Sequence, residues 1–321
     1  MNCSIAIGDN LRPKLIASMV AACFAAPHVA QANPVGASVA VGQASFASQG
    51  STLNITNSPG AVINWQGFSI NAGETTRFIQ QSTASSVLNR VLGADPSVIL
   101  GNLQSNGKVF LINPAGIMVG QGARIDVAGF VASTLNLSNQ DFANGRLNFQ
   151  SNPLAGSLTN AGLITTPEGG SVFLVAPNVA NSGVISAQQG EVILAAGNSV
   201  QLVDTGTPGV RVELSTTDGN KAENLGTIIA NTGKIGLVGA LVRNSGRINA
   251  DQVTRGPDGR VFLRAKKDVT LDPSSAITAS GERGGDISIQ AETGTALVSG
   301  RVEATGSAGK GGLLKAMGQF V

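Results

Sequence analysis

The chain has 321 residues, of which 42% are hydrophobic, only 4% are aromatic and only 12% are charged, and its formal net charge is +2. Because the lysines and arginines are scattered and form no basic stripe, the charge gives no reason to expect a nucleic acid as a partner. The 42 glycines, together with small and branched apolar residues, favour many short strands joined by tight turns over helices.

Residues 1–32 have the pattern of a secretory signal peptide, because a basic start is followed by an apolar run over 15–26. Ala30 and Ala32 supply the small residues of a cleavage site. The apolar run is shorter than the roughly 20 residues that a transmembrane helix needs. Two alternatives are a buried helix and a lipoprotein signal in which Cys23 is lipidated. We expect export, with residues 1–32 removed.

The exported part has little reactive side-chain chemistry. Residues 33–321 contain no cysteine and no histidine, and the whole chain has no tyrosine. Zinc sites, Ser-His-Asp triads and cysteine nucleophiles are therefore excluded from this part, and disulfides cannot stabilise it. We expect neither a metal ion nor a cofactor.

Several short elements are predicted before residue 100. Residues 61–70 indicate a strand broken at Gly67, and it carries the only tryptophan, Trp65, which we expect to close one end of a core. Residues 75–81 are another strand candidate. The apolar residues within 85–93 fit one or two helical turns.

The clearest turn signal lies between two short strands. One strand is predicted over 108–112, and a second begins at Ile117. The residues between them have asparagine first, proline second and glycine fourth, as in a type I turn. They are Asn113, Pro114, Ala115 and Gly116.

Two sequence elements recur from residue 106 onward. The pattern Gly-x-apolar-x-apolar begins at Gly107, Gly170, Gly190, Gly233, Gly259 and Gly285. The pattern Asn-x-Gly-x-Ile begins at Asn160, Asn181, Asn224 and Asn244. Copies recur at a spacing of 20 to 26 residues, and the 43 residues from Asn181 to Asn224 are interpreted as two such steps.

Alternation within the Gly pattern separates inward from outward positions. Its third and fifth residues are always Val or Ile and Leu or Ile, so Val109 and Leu111 are predicted to face a core. The second and fourth residues face outward, which includes Phe110, Phe173 and Phe262. We expect another part of the chain to cover Phe110.

Short strands on this period, without a helical pattern between them, predict an all-β parallel solenoid whose coils bury their faces by stacking. An N-terminal cap and additional strands outside the solenoid are expected. The Asn-x-Gly pattern fits the corners, where glycine would supply a positive φ and stacked asparagines would hydrogen-bond along the axis.

Acidic residues are spread singly over separate coils. Lyases and glycosidases with this kind of fold need clustered acids for calcium or for acid–base chemistry. We therefore expect solvated polar positions and no enzymatic activity, and the alternative is a secreted polysaccharide lyase or glycosidase in which stacking brings two acids together. The residues concerned are Glu191, Asp204, Glu213, Asp218, Asp251, Asp268 and Asp286.

Five ordered motifs carry a family resemblance. They begin at Ile63, Gly73, Asp95, Gly107 and Phe130. Together they resemble the N-terminal secretion domain of filamentous haemagglutinin-type exoproteins, the passengers of two-partner secretion in Gram-negative bacteria. The resemblance covers about residues 37–137, and the repeats extend it in kind to residue 321. The family's Asn-Pro-Asn-Gly-Ile element is matched at Asn113, Pro114, Gly116 and Ile117 and departs at Ala115.

The resemblance implies a right-handed β-helix, with residues 33–155 as cap and secretion-domain core and 156–321 as further coils. It implies passage through the periplasm, capture by the docking domains of a cognate outer-membrane β-barrel transporter, and a secreted or surface-associated product. It also suggests an adhesin that binds host-cell glycans or proteins, and we expect a monomer. Residues 113–117 act in one of two ways, as a turn required for folding or as a direct contact to the transporter.

Overall fold

The computed structural model describes residues 33–204, 210–252 and 259–320. The predicted signal peptide, with its cleavage residues Ala30 and Ala32 and the alternative lipidation site Cys23, lies outside these ranges. Almost all regular structure in the described part is strand, apart from one short helix, α1 (Asn139–Ala143). Within the same ranges, no helix is long and apolar enough to cross a membrane.

The strands stack in three rows, and each coil from β5 to β31 contributes one strand to each row. In order along the stack, the first row contains β2 (Ala44–Gln49), β3 (Thr52–Asn57), β5 (Thr75–Ile79), the first half of β8 (Asn102–Ile112), the first half of β10 (Arg124–Ser133), β14 (Leu163–Thr166), β17 (Val184–Ala187), β22 (Thr227–Ile229), β25 (Arg247–Asn249), β28 (Ala276–Thr278) and β32 (Arg301–Glu303).

The second row includes the second halves of the two long strands. It contains β1 (Ser38–Val41), β4 (Ala61–Trp65), β6 (Ser86–Val91), β8, β10, β15 (Ser171–Ala176), β18 (Glu191–Ala196), β23 (Lys234–Gly239), β26 (Arg260–Ala265), β30 (Asp286–Ala291) and β34 (Leu313–Met317).

The third row is a separate sheet of shorter strands. It contains β7 (Ser97–Ile99), β9 (Ile117–Val119), β13 (Leu158–Asn160), β16 (Asn178–Asn181), β21 (Lys221–Asn224), β24 (Leu241–Asn244), β27 (Val269–Leu271) and β31 (Ala296–Val298). Apart from the two N-terminal pairs, the pairing within the three rows is parallel and each strand pairs with its counterpart in the next coil. This is a parallel β-helix, which confirms the predicted fold class.

Strands outside the rows form two further sheets. A pair is formed by β29 (Gly281–Arg283) and β33 (Gly306–Lys310). The larger one, the outer sheet, is antiparallel and consists of β11 (Asn136–Leu137), β12 (Leu147–Gln150), β19 (Ser199–Asp204) and β20 (Val210–Ser215). These are the extra strands that were expected outside the helix.

The inner core confirms the inward positions of the Gly pattern. Val109 and Leu111 are fully buried, and so are their counterparts in the later coils, such as Val172 and Leu174. Burying each such side chain contributes roughly 1.5–3 kcal/mol relative to exposure. The stack of coils therefore carries most of its hydrophobic stabilisation along this inner line.

The N-terminal end is capped as expected. Strands β1 and β2 run antiparallel to β4 and β3, unlike the later coils. Trp65 is 1% exposed, and its ring meets Phe46 and Phe68 edge to face, with centroids 5.6 and 5.7 Å away. Its indole nitrogen donates a hydrogen bond to Oδ1 of Asn89 over 2.9 Å, so the buried polar atom is satisfied.

The helical turns predicted within 85–93 are wrong, because this segment is the strand β6. Val87 and Val91 enter the inner core, whereas Leu88, on the opposite face, is buried beneath the outer sheet. Since both faces of β6 are covered, apolar residues occur on both sides of the strand. The strict alternation that identifies a half-buried strand is therefore lost.

The outer sheet covers a second core, here called the outer core, on the outside of the second row. Phe110 and Phe173 are only 8% and 6% exposed there, which confirms that another part of the chain covers Phe110. Phe262 is half-buried and packs against the same cluster. The side chain at the fourth position of the Gly pattern thus points away from the inner core, but other parts of the chain shield it from solvent.

The interpretation of 43 residues as two steps is wrong. Asn181 and Asn224 are direct partners in the parallel pairing of β16 with β21, so one coil separates them. The additional residues leave the coil after β18 and form β19 and β20 of the outer sheet.

The predicted asparagine stack is present, but the glycines have another role. Asn160, Asn181, Asn224 and Asn244 are fully buried and bonded in series, each Nδ2 donating to the next Oδ1 over 2.8 Å. The following glycines do not have a positive φ. A Cβ on Gly183 would instead come closer than 3.0 Å to the carbonyl oxygen of Gly162 in the neighbouring coil. Glycine is needed there because the backbones approach closely.

The coils continue across the predicted boundary at residue 155. Strand β9 pairs with β13, and β10 pairs with both β14 and β15. The division into residues 33–155 and 156–321 stays a prediction about function.

Candidate functional site

The turn between β8 and β9 forms at the predicted residues. The amide of Gly116 donates to the carbonyl oxygen of Asn113 over 3.1 Å, which closes the turn. The side chain of Asn113 closes it again, since Oδ1 accepts a hydrogen bond from the amide of Ala115 over 3.0 Å. The Asn113 side chain therefore forms an Asx turn, in which the side-chain oxygen accepts a hydrogen bond much as the backbone carbonyl oxygen does.

The rest of the Asn113 side chain binds the preceding coil. It is fully buried, and its Nδ2 donates to the carbonyl oxygen of Asp95 over 3.0 Å and to Oγ of Ser97 over 2.9 Å. Both side-chain donors and the side-chain acceptor are thus used. Alanine at this position would leave the carbonyl oxygen of Asp95 and the hydroxyl oxygen of Ser97 without this donor. An unsatisfied polar group inside the protein costs free energy of folding.

The backbone of the turn binds the following coil. The carbonyl oxygen of Pro114 accepts from the amide of Gly156 over 2.8 Å, and the amide of Ile117 donates to the carbonyl oxygen of Ser157 over 3.2 Å. A Cβ on Gly156 would lie 2.6 Å from the carbonyl oxygen of Ala115, so only glycine fits this approach. The turn therefore connects the coil before it with the coil after it.

Ala115 occupies the position at which the sequence departs from the family pattern. It is half-buried, and the contacts described for it are made by its backbone. The turn forms with alanine here, as expected from the tolerance of the third position. Pro114 is half-buried as well, whereas Asn113, Gly116 and Ile117 are buried.

Burial limits what a transporter can contact in the folded protein. The Asn113 side chain has no exposed surface, so another protein could bind it only before the turn has formed. Direct recognition in the folded state is restricted to the half-buried Pro114 and Ala115. The role of residues 113–117 in recognition stays a prediction.

The acidic residues considered for catalysis have separate partners. Asp218 forms an ion pair with Lys267 at 2.7 Å. Asp268 accepts a hydrogen bond from the amide of Thr295 over 2.8 Å. Asp251 accepts the amide of Ser280 at 2.7 Å. The side chain of Asp204 lies outside the described part. Over residues 33–204, 210–252 and 259–320, no group of three or more Asp, Glu, His or Cys residues is placed to hold a metal ion.

One ionic cluster was not foreseen from the sequence. Arg243 lies between Asp272, at 2.6 Å, and Glu223, at 3.2 Å, and it joins neighbouring coils on the outside of the third row. The hydrogen bond from Arg243, followed by that from Ser245, lowers the pKa of the Asp272 carboxyl. The hydrogen bond to Asp272 and the charge of Asp272, followed by those of Glu223, raise the pKa of Arg243. Spacings of 20 and 29 residues reveal such a cluster only when the coil register is known.

The fold and the turn define a class of protein: a capped parallel β-helix with an antiparallel sheet covering one of its outer faces. Residues 30–289 match the family model described as the TPS secretion domain, and the chain belongs to this family. The abbreviation stands for two-partner secretion, so the resemblance found in the sequence is confirmed. Membership implies a cognate outer-membrane transporter and export across the outer membrane.

Two solved structures are similar to this chain. The HMW1 secretion domain from Haemophilus influenzae superposes with a TM-score of 0.78 and 29% identity, over 90% of this chain and 96% of that chain. The filamentous hemagglutinin secretion domain superposes with a TM-score of 0.58 over 88% of this chain and 99% of that chain. Its 18% identity shows that the two share a fold.

Two curated relatives are described as heme/hemopexin-binding proteins of Haemophilus influenzae. One, from the Rd strain, is 35% identical over 174 residues, which is 51% of this chain and 19% of the relative. The other is 43% identical over 77 residues, which is 24% of this chain and 8% of the relative. The matched parts thus amount to about a fifth or less of each relative's length.

Proposed function

We propose that this chain is the secretion module of a two-partner secretion passenger, which crosses the outer membrane through a cognate transporter and folds coil by coil. The observation that supports this most directly is the buried turn at Asn113. Its side chain binds the preceding coil, at Asp95 and Ser97, and its backbone binds the following coil. It can therefore act as a point from which stacking proceeds in both directions.

Between the two roles left open for residues 113–117, we propose the folding turn. In the folded protein Asn113 is inaccessible, and all its side-chain hydrogen-bonding groups are occupied within the chain. A transporter that bound this side chain would have to release it before the turn could close. Recognition would then compete with folding.

The test is secretion with and without the co-expressed transporter. Wild-type protein is expected in the medium only when the transporter is present, and Asn113→Ala should lower the secreted amount and leave precursor in the periplasm. Asn144→Ala is the matched control, because Asn144 is an exposed asparagine followed by glycine in the same region. Equal amounts in the medium without the transporter would contradict the export proposal.

A binding measurement separates folding from recognition. The urea-unfolded chain is diluted onto the isolated docking domains of the transporter, and refolding is followed separately by the fluorescence of Trp65. Asn113→Ala is expected to slow refolding and to leave binding of the unfolded chain unchanged. Weaker binding with normal refolding would support direct recognition.

An adhesive role, toward glycans or proteins of a host-cell surface, is part of the proposal and rests on the family alone. Binding of the purified chain to erythrocytes or immobilised host glycans tests it.

We also propose that the chain acts as a monomer. Sedimentation of the purified chain measures its oligomeric state.

We propose further that the chain is not an enzyme. What supports this is the pairing of the acids with separate partners, such as Asp218 with Lys267 and Asp286 with Arg260. Release of unsaturated products from polyuronates in the presence of calcium would contradict this and favour the lyase alternative.

The relatives' description raises the question of heme, and the residues of this chain do not fit it. Axial ligands of heme iron are His, Cys, Met or Tyr. Residues 33–321 have none of these except two methionines, of which Met118 is 41% exposed and Met317 is half-buried. We therefore propose no heme site within this part of the chain.

A further inference from the structure

The outer sheet is held at both of its edges by an arginine from the β-helix beneath it. The sheet order is β11, β12, β19, β20, so β11 and β20 are its edge strands. Arg90 on β6 donates from Nη2 to the carbonyl oxygen of Leu137 in β11 over 2.8 Å. Arg264 on β26 donates from Nη2 to the carbonyl oxygen of Val212 in β20.

The two arginines lie far apart along the stack. The second row runs from β6 through five strands to β26, and the outer core lies on the outside of this stretch and reaches one strand further, to Val62 on β4. Each guanidinium group thus binds a backbone carbonyl group of an edge strand, the kind of strand that lacks a partner on one side. Burial lowers the pKa of Arg90, in agreement with a guanidinium held against the sheet.

The contacts that close the outer sheet join segments far apart in the chain, and such contacts cost more chain entropy before they form. Strand β12 finds its partner β19 only after two complete coils, since Phe149 pairs with Val200. Arg264, which binds the carbonyl oxygen of Val212, lies 52 residues further along the chain. The coils stack on the neighbour that precedes them in the chain, whereas the outer sheet depends on strands that come much later.

We propose that the outer sheet is a clasp, which closes over the outer core after the coils beneath it have stacked and which Arg90 and Arg264 hold at its two edges. Until it closes, the outer core lacks the part of its cover that the sheet provides, whereas Phe110 also meets Phe142 of α1 edge to face. Once it is closed, coils that touch only their neighbours in the stack are bound together by one antiparallel sheet. The inference concerns folding of the chain itself and is independent of the proposed export.

The absence of cysteine from residues 33–321 allows single thiol reporters in the full exported chain. Val200→Cys places a thiol beneath the outer sheet, and Val172→Cys places one in the inner core of a coil below it. Both valines are at most 1% exposed, so labelling of either thiol requires opening of its surroundings. Each reporter is combined with Arg264→Met, Arg90→Met or the control Arg260→Met, which changes an arginine on β26 paired with Asp286.

We expect Arg264→Met and Arg90→Met each to raise the labelling rate of Val200→Cys about tenfold. This factor corresponds to the loss of one charge-assisted hydrogen bond. The rate for Val172→Cys should change less than about twofold, and Arg260→Met should change neither. An unchanged rate at Val200→Cys would overturn the clasp. An equal rise at both reporters would also overturn it, because the arginines would then stabilise the whole fold.

Refolding from urea with pulsed thiol labelling tests the order of closure. Protection at Val172→Cys is expected to precede protection at Val200→Cys, and Arg264→Met should delay only the second. Simultaneous protection of the two thiols would overturn late closure.

Discussion

The side-chain amides of Asn181 and Asn224 are hydrogen-bonded over 2.8 Å although 43 residues separate them in the chain. They lie in adjacent coils, and the residues between them that are not needed for one coil form β19 and β20. The same bond therefore joins the coils on either side of one of the chain's two excursions into the outer sheet.

The asparagine stack should contribute measurably to stability. Asn181→Ala removes the two hydrogen bonds to the neighbouring asparagine side chains and a longer one to the carbonyl oxygen of Gly183. It leaves Asn160 without its side-chain acceptor and Asn224 without its side-chain donor, both in buried positions. We expect a loss of about 2–4 kcal/mol in the free energy of unfolding, measured with urea. Asn144→Ala, at an exposed position, should lose less than about 0.5 kcal/mol. Similar losses for the two variants would count against a buried ladder.

The glycines of the Asn-x-Gly pattern should not tolerate a side chain. Gly183→Ala places a Cβ against the carbonyl oxygen of Gly162, and the stacked backbones must move apart. We expect a loss of about 1–3 kcal/mol in unfolding free energy. Gly219→Ala is the control, because nothing lies within 4 Å of its added Cβ and its φ is not positive. If Gly183→Ala were as stable as this control, the close approach would not be the reason for glycine.

The departure from the family pattern at Ala115 should be neutral. Its described contacts come from the backbone, so Ala115→Asn restores the family's residue without disturbing the turn. We expect refolding rate and secreted amount to stay within about twofold of wild type. Gly156→Ala is the contrasting variant, because its Cβ would lie 2.6 Å from the Ala115 carbonyl oxygen. A strong gain in secretion for Ala115→Asn would instead show that this side chain is recognised.

The cluster around Asp272 should make stability depend on pH. Its pKa in the folded state is lowered from the ordinary value of 3.8, chiefly by the hydrogen bond from Arg243 and then by that from Ser245. A lowered folded pKa gives stability that is present above 3.8 and is lost as the pH falls through the folded pKa.

The difference in urea midpoint between wild type and Asp272→Asn should therefore be largest above about pH 5 and shrink below about pH 4. Glu282→Gln, at an exposed position, provides a control that should show a smaller change with pH. A difference that stays constant from neutral to acid pH would argue against ionic stabilisation by Asp272.

Residues 33–321 should not coordinate heme iron. Titration of residues 33–321 with heme is expected to leave the Soret band as in free heme, because His, Cys and Tyr are absent from this part. A shifted band would contradict the proposal, and its loss in Met118→Leu or Met317→Leu would identify the methionine involved.

The period of the Gly and Asn patterns, together with the alternation inside each copy, was enough to predict the coils, the inward direction of Val109 and Leu111, and the asparagine stack. These features depend on residues that are close in the chain or repeat at equal positions. The turn at Asn113 was predictable for the same reason, because its residue types act locally.

Only the tertiary structure decided which strand covers which face. The pairing of β12 with β19, the contact of Arg264 with Val212 and the cluster around Arg243 each join residues 20 or more positions apart. Burial of β6 on both faces likewise removed its alternation, and the close approach at Gly183 replaced the expected positive φ. A local pattern reports the direction of a side chain, but what lies in that direction depends on parts of the chain that the pattern does not contain.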